Sequence, residues 1–270
     1  MPVNPAQGLL YQALYRFPGY RRETVTRNLA LAMPHLDNAQ RHALAKKHYR
    51  HLATLVAQIL RMSRMDSTDF SRAVQLENPE LVQCASDNYA RSIVFVLLHQ
   101  GNWEWLLHGA SQTLGIRIDP VYQPLHNLRA DRYMHKLRSR FGATPVPVAA
   151  LGDYLRGSRR KPRALALLAD QAPGTTETTQ TVPFLGVDTA FKSGFVKVAR
   201  VMDATLVFAA CRRTPDGGYS TTFHTLGAES GAKHREYELV RDYAALAEEA
   251  ILRQPESWLW THRRWKGREN

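Results

Sequence analysis

Cysteine, acidic side chains and long apolar runs are all scarce in this chain of 270 residues. Cys84 and Cys211 are its two thiols, too few for a disulfide framework and without the spacing of a zinc site, so both read as structural thiols in a reducing compartment. Apolar runs such as Ile93 to Leu98 and Ala164 to Ala169 stop far short of the roughly 18 residues that span a bilayer. Gln12 and Arg16 interrupt the first apolar residues before a signal-peptide core can form, so a cytoplasmic protein is expected. Asp and Glu number 24 against 36 Lys and Arg, a net charge of +12 with an isoelectric point near 10.0. A charge of that size predicts attraction to a polyanion: nucleic acid, an anionic bilayer or an acidic carrier protein.

What is present is an ordinary globular composition, 44% hydrophobic and 22% charged, long enough for one large domain or two small ones. Leu9, Leu10, Ala13, Leu14 and Phe17 recur at helical spacing ahead of Arg21 and Arg22, which predicts an amphipathic helix lying on the core or in a headgroup layer. Residues 39–65 repeat that period through Leu44, His48, Leu52, Leu55, Val56, Ile59 and Leu60. Residues 1–70 therefore read as a helical N-terminal segment and 71–270 as one α/β unit. Within that unit the apolar runs Ser92 to Leu98, Arg163 to Ala169 and Thr205 to Ala210 alternate with helical periods over Trp103 to Leu114, Asn127 to Arg140, Thr189 to Met202 and Tyr237 to Leu252. Strands with no polar face, alternating with helices, predict a mostly parallel central sheet flanked by helices. The basic run Arg156 to Arg163 reads as a solvated loop between a helix and a strand.

The first of these strands runs into His99-Gln-Gly-Asn-Trp-Glu104. That places His99 at a strand's carboxyl end, where open α/β sheets bind ligands, and Glu104 in the first turn of the next helix. Asn102 suits the N-cap, and any strand-to-helix connection would also accept these residues. A histidine oriented by a carboxylate is nevertheless a competent general base. His-x4-Glu is not the His-Glu-x2-His pattern of a zinc helix, and the chain has no Gly-x-Ser-x-Gly elbow.

Val94-Phe-Val-Leu-Leu-His-Gln-Gly-Asn-Trp-Glu104 resembles the His-x4-Asp/Glu motif of the lipid A late acyltransferases, the lauroyl/myristoyl transferase family. Val121-Tyr-Gln-Pro-Leu-His-Asn127 is similar to that family's Tyr-Arg-Pro-x-x-Asn segment, and Arg138-Ser-Arg-Phe-Gly142 to its Arg-x-Arg-x-Gly. Leu168-Ala-Asp-Gln-Ala-Pro-Gly174 with Val182-Pro-Phe-Leu-Gly186 resembles its Asp-Gln and Val-Pro-Phe-Phe-Gly pair. Pro255 to Lys266 resembles its Trp-x-His-Arg-Arg-Phe-Lys ending. The five motifs stand in the family's order across about residues 9–268.

The resemblance implies a glycerolipid-acyltransferase-like fold and transfer of a fatty acyl group from a thioester, on acyl carrier protein or coenzyme A, to a hydroxyl of a lipid or glycolipid. No metal or other cofactor is then expected. His99 would be the general base and Glu104 the group that orients it. Arg138 would meet the developing oxyanion or an acceptor phosphate, or else be a surface ion pair. Asp170 would hold Arg138 or the acceptor, assisted by Gln171, and Asn102 would contribute to substrate binding. Lys192, where relatives carry a small residue or Thr, bears on the choice of acceptor. Members acting on lipid A usually begin with a transmembrane helix that this sequence lacks, so attachment to the cytoplasmic face of the inner membrane is expected to be peripheral. The tryptophans and cations of residues 258–266 suit either a membrane interface or cation–π packing. The expected partners are acyl carrier protein, an anionic membrane surface and a lipid acceptor. Nucleic acid is not among them, since no recognition motif accompanies the charge. An acceptor outside lipid A, such as another glycolipid or an aryl-polyene-type lipid, and a non-catalytic lipid- or carrier-binding module remain the alternatives.

Overall fold

A computed structural model gives the fold and describes residues 5–16, 19–157, 162–175, 177–227 and 236–266. The helices are α1 (Pro5–Arg16), α2 (Arg22–Ala32), α3 (Asn38–Arg61), α4 (Ser67–Ala73), α5 (Pro79–Ala85), α6 (Trp103–Leu114), α7 (Leu128–Arg138), α8 (Leu151–Gly157), α9 (Gly194–Met202) and α10 (Glu236–Arg253). The strands are β1 (Val74–Leu76), β2 (Ile93–Leu97), β3 (Ile118–Tyr122), β4 (Val146–Pro147), β5 (Ala164–Leu168), β6 (Thr179–Phe184), β7 (Val187–Lys192), β8 (Thr205–Arg213) and β9 (Tyr219–Thr225). Seven strands form one sheet in the order β1-β9-β8-β2-β5-β3-β4. All neighbours in it are parallel except β8 and β9. This is the expected α/β architecture.

The central strand shows why its sequence has no polar face. Side chains alternate across a strand: Val94, Val96 and Leu98 enter a core with Leu29, Tyr49, Leu52, Phe195 and Tyr243. Ile93, Phe95 and Leu97 enter a second core with Phe70, Trp105, Leu106 and Tyr219. Helices cover both faces, so every position of β2 is buried. The N-terminal helices are mounted on the first core. Asp37 and Gln40 form a capping box that starts α3, and the Tyr49 hydroxyl donates to the Tyr20 carbonyl at 2.6 Å. Tyr11, Leu14 and Tyr15 of α1 pack against that core while Leu9 stays exposed.

Two expectations change here. The helix expected over Thr189 to Met202 begins only at Gly194, because residues 189–192 belong to β7, where Val187, Thr189 and Phe191 are buried at a period of two. β7 pairs antiparallel with β6 through a two-residue turn, Leu185 (φ 52°) and Gly186 (φ 74°), whose left-handed backbone suits a tight hairpin. The Val-Pro-Phe-Leu-Gly motif is therefore the end of β6 and this turn. The second change concerns the C-terminal tryptophans. Trp258, Trp260 and Trp265 are all buried, and the Trp265 indole donates to Thr189 Oγ1 at 2.8 Å. Arg264 is buried among them, donating to the Ala190 carbonyl at 2.7 Å and stacked 4.3 Å from the Phe191 ring centroid. Burial pushes its pKa down to about 10. The aromatic–basic ending is cation–π core packing and not a membrane-facing belt. Of the basic run, residues 158–161 lie outside the described residues.

Gly109 marks the tightest helix contact on the second face. A Cβ there would meet Val74 Cβ at 2.6 Å and the Phe70 carbonyl oxygen at 3.1 Å. Gly109→Ala gains roughly 1 kcal/mol of helix propensity but overpacks a buried contact at a cost of about 1–3 kcal/mol. A net loss of stability is expected in a denaturant melt. A stabilised variant would mean that α6 moves freely away from α4 and β1.

Candidate active site

Parallel pairing builds the site. Leu97 of β2 lies in register with Leu168 of β5, so the residues two positions on, His99 and Asp170, emerge side by side at the carboxyl edge of the sheet. His99 Nδ1 stands 2.7 Å from Asp170 Oδ1, and the His99 backbone N–H donates to Asp170 Oδ2 at 3.0 Å. The Trp258 indole N–H donates to the same Oδ2 at 2.8 Å. Asp170 is 2% exposed. Burial alone would raise its pKa, but the His99 ring and these N–H donors more than offset that and hold it down at about 2. An ionised Asp170 requires a donor at Nδ1, which leaves Nε2 as the acceptor, and Gln171 Nε2 lies 3.3 Å from it. The Trp103 ring packs edge-on at 5.0 Å between centroids.

The expected His99–Glu104 pairing is not made. Glu104 lies at the second position of α6 and turns toward α7, where Arg138 grips it through Nε at 2.9 Å and Nη2 at 2.5 Å. The Trp103 indole adds a third donor at 3.2 Å. Glu104 is almost fully buried and Arg138 largely so. Burial works against the Arg138 charge, yet the facing carboxylate prevails and its pKa moves up. The Arg138 guanidinium also lies 5.3 Å from the Tyr122 ring centroid. The two carboxylates thus exchange the roles expected of them: Asp170 orients the histidine and Glu104 seats the arginine.

Among the other expected residues, Gln171, expected to assist Asp170, lies beside His99 instead. Asn102 is completely buried and committed to structure, accepting from the Trp105 N–H at 3.0 Å as the N-cap of α6 and donating to Gln58 at 3.0 Å. Its complete burial leaves no exposed surface for a substrate to touch in this structure. Lys192 ends β7 and pairs with Glu177 at 3.0 Å. Sequence reasoning did not single out His262, whose Nε2 accepts the Ala172 N–H at 2.9 Å. Burial holds His262 neutral, with its pKa down at about 4. Asn28 fastens the same segment by donating to the Trp260 and His262 carbonyls at 2.8 and 2.7 Å. The C-terminal segment therefore clamps the loop that carries Asp170 and Gln171. A cavity of about 410 Å³ lined by Arg91, Arg117, Asp119 and Arg163 lies at the opposite, amino edge of the sheet and takes no part in this site.

The arrangement is a buried Asp–His couple with one imidazole nitrogen free to take a proton, beside an arginine locked by its own carboxylate. The sequence model of the bacterial lipid A biosynthesis acyltransferases matches residues 9–267. The chain belongs to this family. No curated protein matches it. Among the described residues of the acyltransferase no helix is long and apolar enough to cross a membrane. Nor does any group of three or more His, Cys, Asp or Glu side chains among them have metal-binding geometry.

Proposed function

We propose that the acyltransferase moves a fatty acyl group from acyl carrier protein, or from coenzyme A, to a hydroxyl of a lipid A precursor or a related glycolipid. The observation that carries this reading is the 2.7 Å bond from His99 to a sequestered Asp170, because it fixes the imidazole with Nε2 as the base. An acceptor hydroxyl takes the place of the Gln171 amide against Nε2 and gives up its proton there. Its oxygen attacks the thioester carbonyl, so no acyl-enzyme forms. The tetrahedral intermediate then expels the thiolate, and the imidazolium returns the proton to sulfur, leaving an ester and a free thiol. Arg138 meets negative charge, either the oxyanion or a phosphate on the acceptor, and Glu104 holds its guanidinium in one orientation. Peripheral attachment at the cytoplasmic face of the inner membrane would bring the acyltransferase to such a lipid, and the net charge of +12 favours attraction to an anionic surface.

Mass spectrometry of total lipids from cells with and without the gene, with His99→Ala as control, tests the proposal. A lipid that gains one acyl mass only when His99 is intact identifies acceptor and chain length together. Full acylation by His99→Ala would refute the mechanism. A purified protein that neither acylates a lipid nor cleaves an acyl thioester would make the chain a binding module.

A further inference from the structure

Of the residues of α7, an 11-residue helix, only Leu137 is buried. Met134, Leu137 and Arg138 turn toward the protein, while Leu128, Arg129, Arg132, Tyr133 and Lys136 are exposed. At 3.6 residues per turn these five share one outward stripe. Leu128, at 73% exposed, lies at one rim with Leu125 just before it, and Tyr133 lies at the other. Between the rims run Arg129, Arg132 and Lys136, spaced three and four residues apart and so spread over about 10 Å of helix. The helix has one acid, Asp131, and it faces away from the stripe, accepting the Leu125 N–H at 2.8 Å and so pinning the preceding loop. No carboxylate pairs with the three cations among the described residues.

We propose that the outward face of α7 is the docking surface for an acidic helix of the protein that carries the acyl thioester. The inference rests on the acyl-transfer reading above and adds where the donor sits. The pattern of charge favours a protein over a bilayer. An interfacial helix puts its apolar side chains at the centre of the buried face and lets cations snorkel at the edges. Here the cations occupy the centre and the apolar side chains the rims, so the face has no apolar centre to sink among acyl chains, while its central cations offer charge complementarity to an acidic protein. Cations three and four residues apart match carboxylates at the same spacing on a facing helix. The location also fits. Arg138 ends α7 and grips Glu104, Glu104 accepts from Trp103, and Trp103 packs on His99, so a carrier on α7 has its thioester arm beside the base.

The test is a variant with Arg129→Glu, Arg132→Glu and Lys136→Glu, and a milder one with all three replaced by Gln. Binding of a fluorescein-labelled acyl carrier protein is followed by polarisation at several salt concentrations, and binding to phosphatidylglycerol/phosphatidylethanolamine vesicles by co-sedimentation. All three side chains are exposed, so an unchanged melting temperature is expected. Carrier affinity falls about tenfold or more in the Glu variant and less in the Gln variant, with a flatter salt dependence in both, and vesicle binding weakens much less, in line with the lower net charge alone. Carrier affinity that survives the Glu variant overturns the proposal, as does a wild-type chain with no carrier affinity. Vesicle binding lost while carrier binding persists would assign the face to the bilayer. Transfer from acyl-coenzyme A, measured alongside, separates the two ideas: its retention in the Glu variant leaves the acyl-transfer reading standing whatever the carrier result. A wild type that transfers from neither acyl-coenzyme A nor acyl carrier protein counts against that reading without altering the binding comparison.

Discussion

Asp170→Asn lowers the rate of acyl transfer by about 1,000- to 10,000-fold, more than Glu104→Gln does, and it does so by inverting a tautomer. In the wild type Asp170 Oδ2 accepts two fixed donors, the His99 backbone N–H and the Trp258 indole, while Oδ1 faces His99 Nδ1. An asparagine has one carbonyl oxygen to share among these. Two fixed donors outweigh one, so the oxygen stays with them and the amide NH2 turns to Nδ1. Nδ1 must then accept, which puts the proton on Nε2 and removes the base. Losses of this size follow when a carboxylate that orients a catalytic histidine is amidated in other enzymes. Glu104→Gln keeps the His99 couple intact. It unseats Arg138 and leaves a buried guanidinium without its carboxylate, costing about 3–5 kcal/mol of stability and weakening charge stabilisation in the transition state. Steady-state kinetics, melting curves and imidazole nitrogen NMR of both variants check this. If Asp170→Asn keeps a tenth or more of the activity while Glu104→Gln abolishes it at unchanged stability, His99 is oriented by another group.

The exchange of partners shows which parts of the site were legible in the sequence. His99 stood out because it ends an apolar run, and the sheet places it as expected. Its carboxylate partner did not stand out, because Glu104 is five residues away in the chain whereas Asp170 is 71 away. Neighbourhood in sequence favoured the first. The parallel register of β2 and β5 delivers the second, and register is set by packing that no local window contains. The same division holds across the fold. β2, β5 and β8 declared themselves as runs without a polar face, since both of their faces are covered. The hairpin β6–β7 lies outside that sheet, so its alternating pattern was absorbed into the helical period of α9. The tryptophans of residues 258–265 beside Arg263 and Arg264 read locally as an interface, and only the packing of Phe184, Phe191 and Tyr243 around them shows that they close a core.

Acidification from about pH 6.5 to about pH 5 removes most of the folding stability, through four histidines held neutral inside the protein. Burial pushes His48, His108 and His262 down to about 4 and His51 to about 3, from an ordinary value of 6.5. His51 Nε2 stands 3.2 Å from the Gly101 carbonyl at the turn below His99, and His108 lies between the Phe70 and Phe141 rings. All four pKa values are depressed on folding, so the unfolded chain binds protons that the folded one refuses once the pH falls below 6.5. Stability is therefore complete above that pH and is lost as the pH drops toward 4. Each buried histidine contributes about 1.4 kcal/mol per pH unit, so His48, His51 and His108 together remove about 6 kcal/mol by pH 5 and the partly exposed, solvent-screened His262 adds less, comparable with the whole stability of an ordinary domain at about 5–15 kcal/mol. Asp170 adds to the loss only further down, between about 3.8 and 2. Urea unfolding at pH 7.5, 6 and 5 measures the slope, and His108→Leu, which removes one of the four groups, should flatten it by about a quarter. Stability that stays level across that range would mean that these side chains take up protons without leaving the core, and that the turn held by His51 is more open to water than its burial implies.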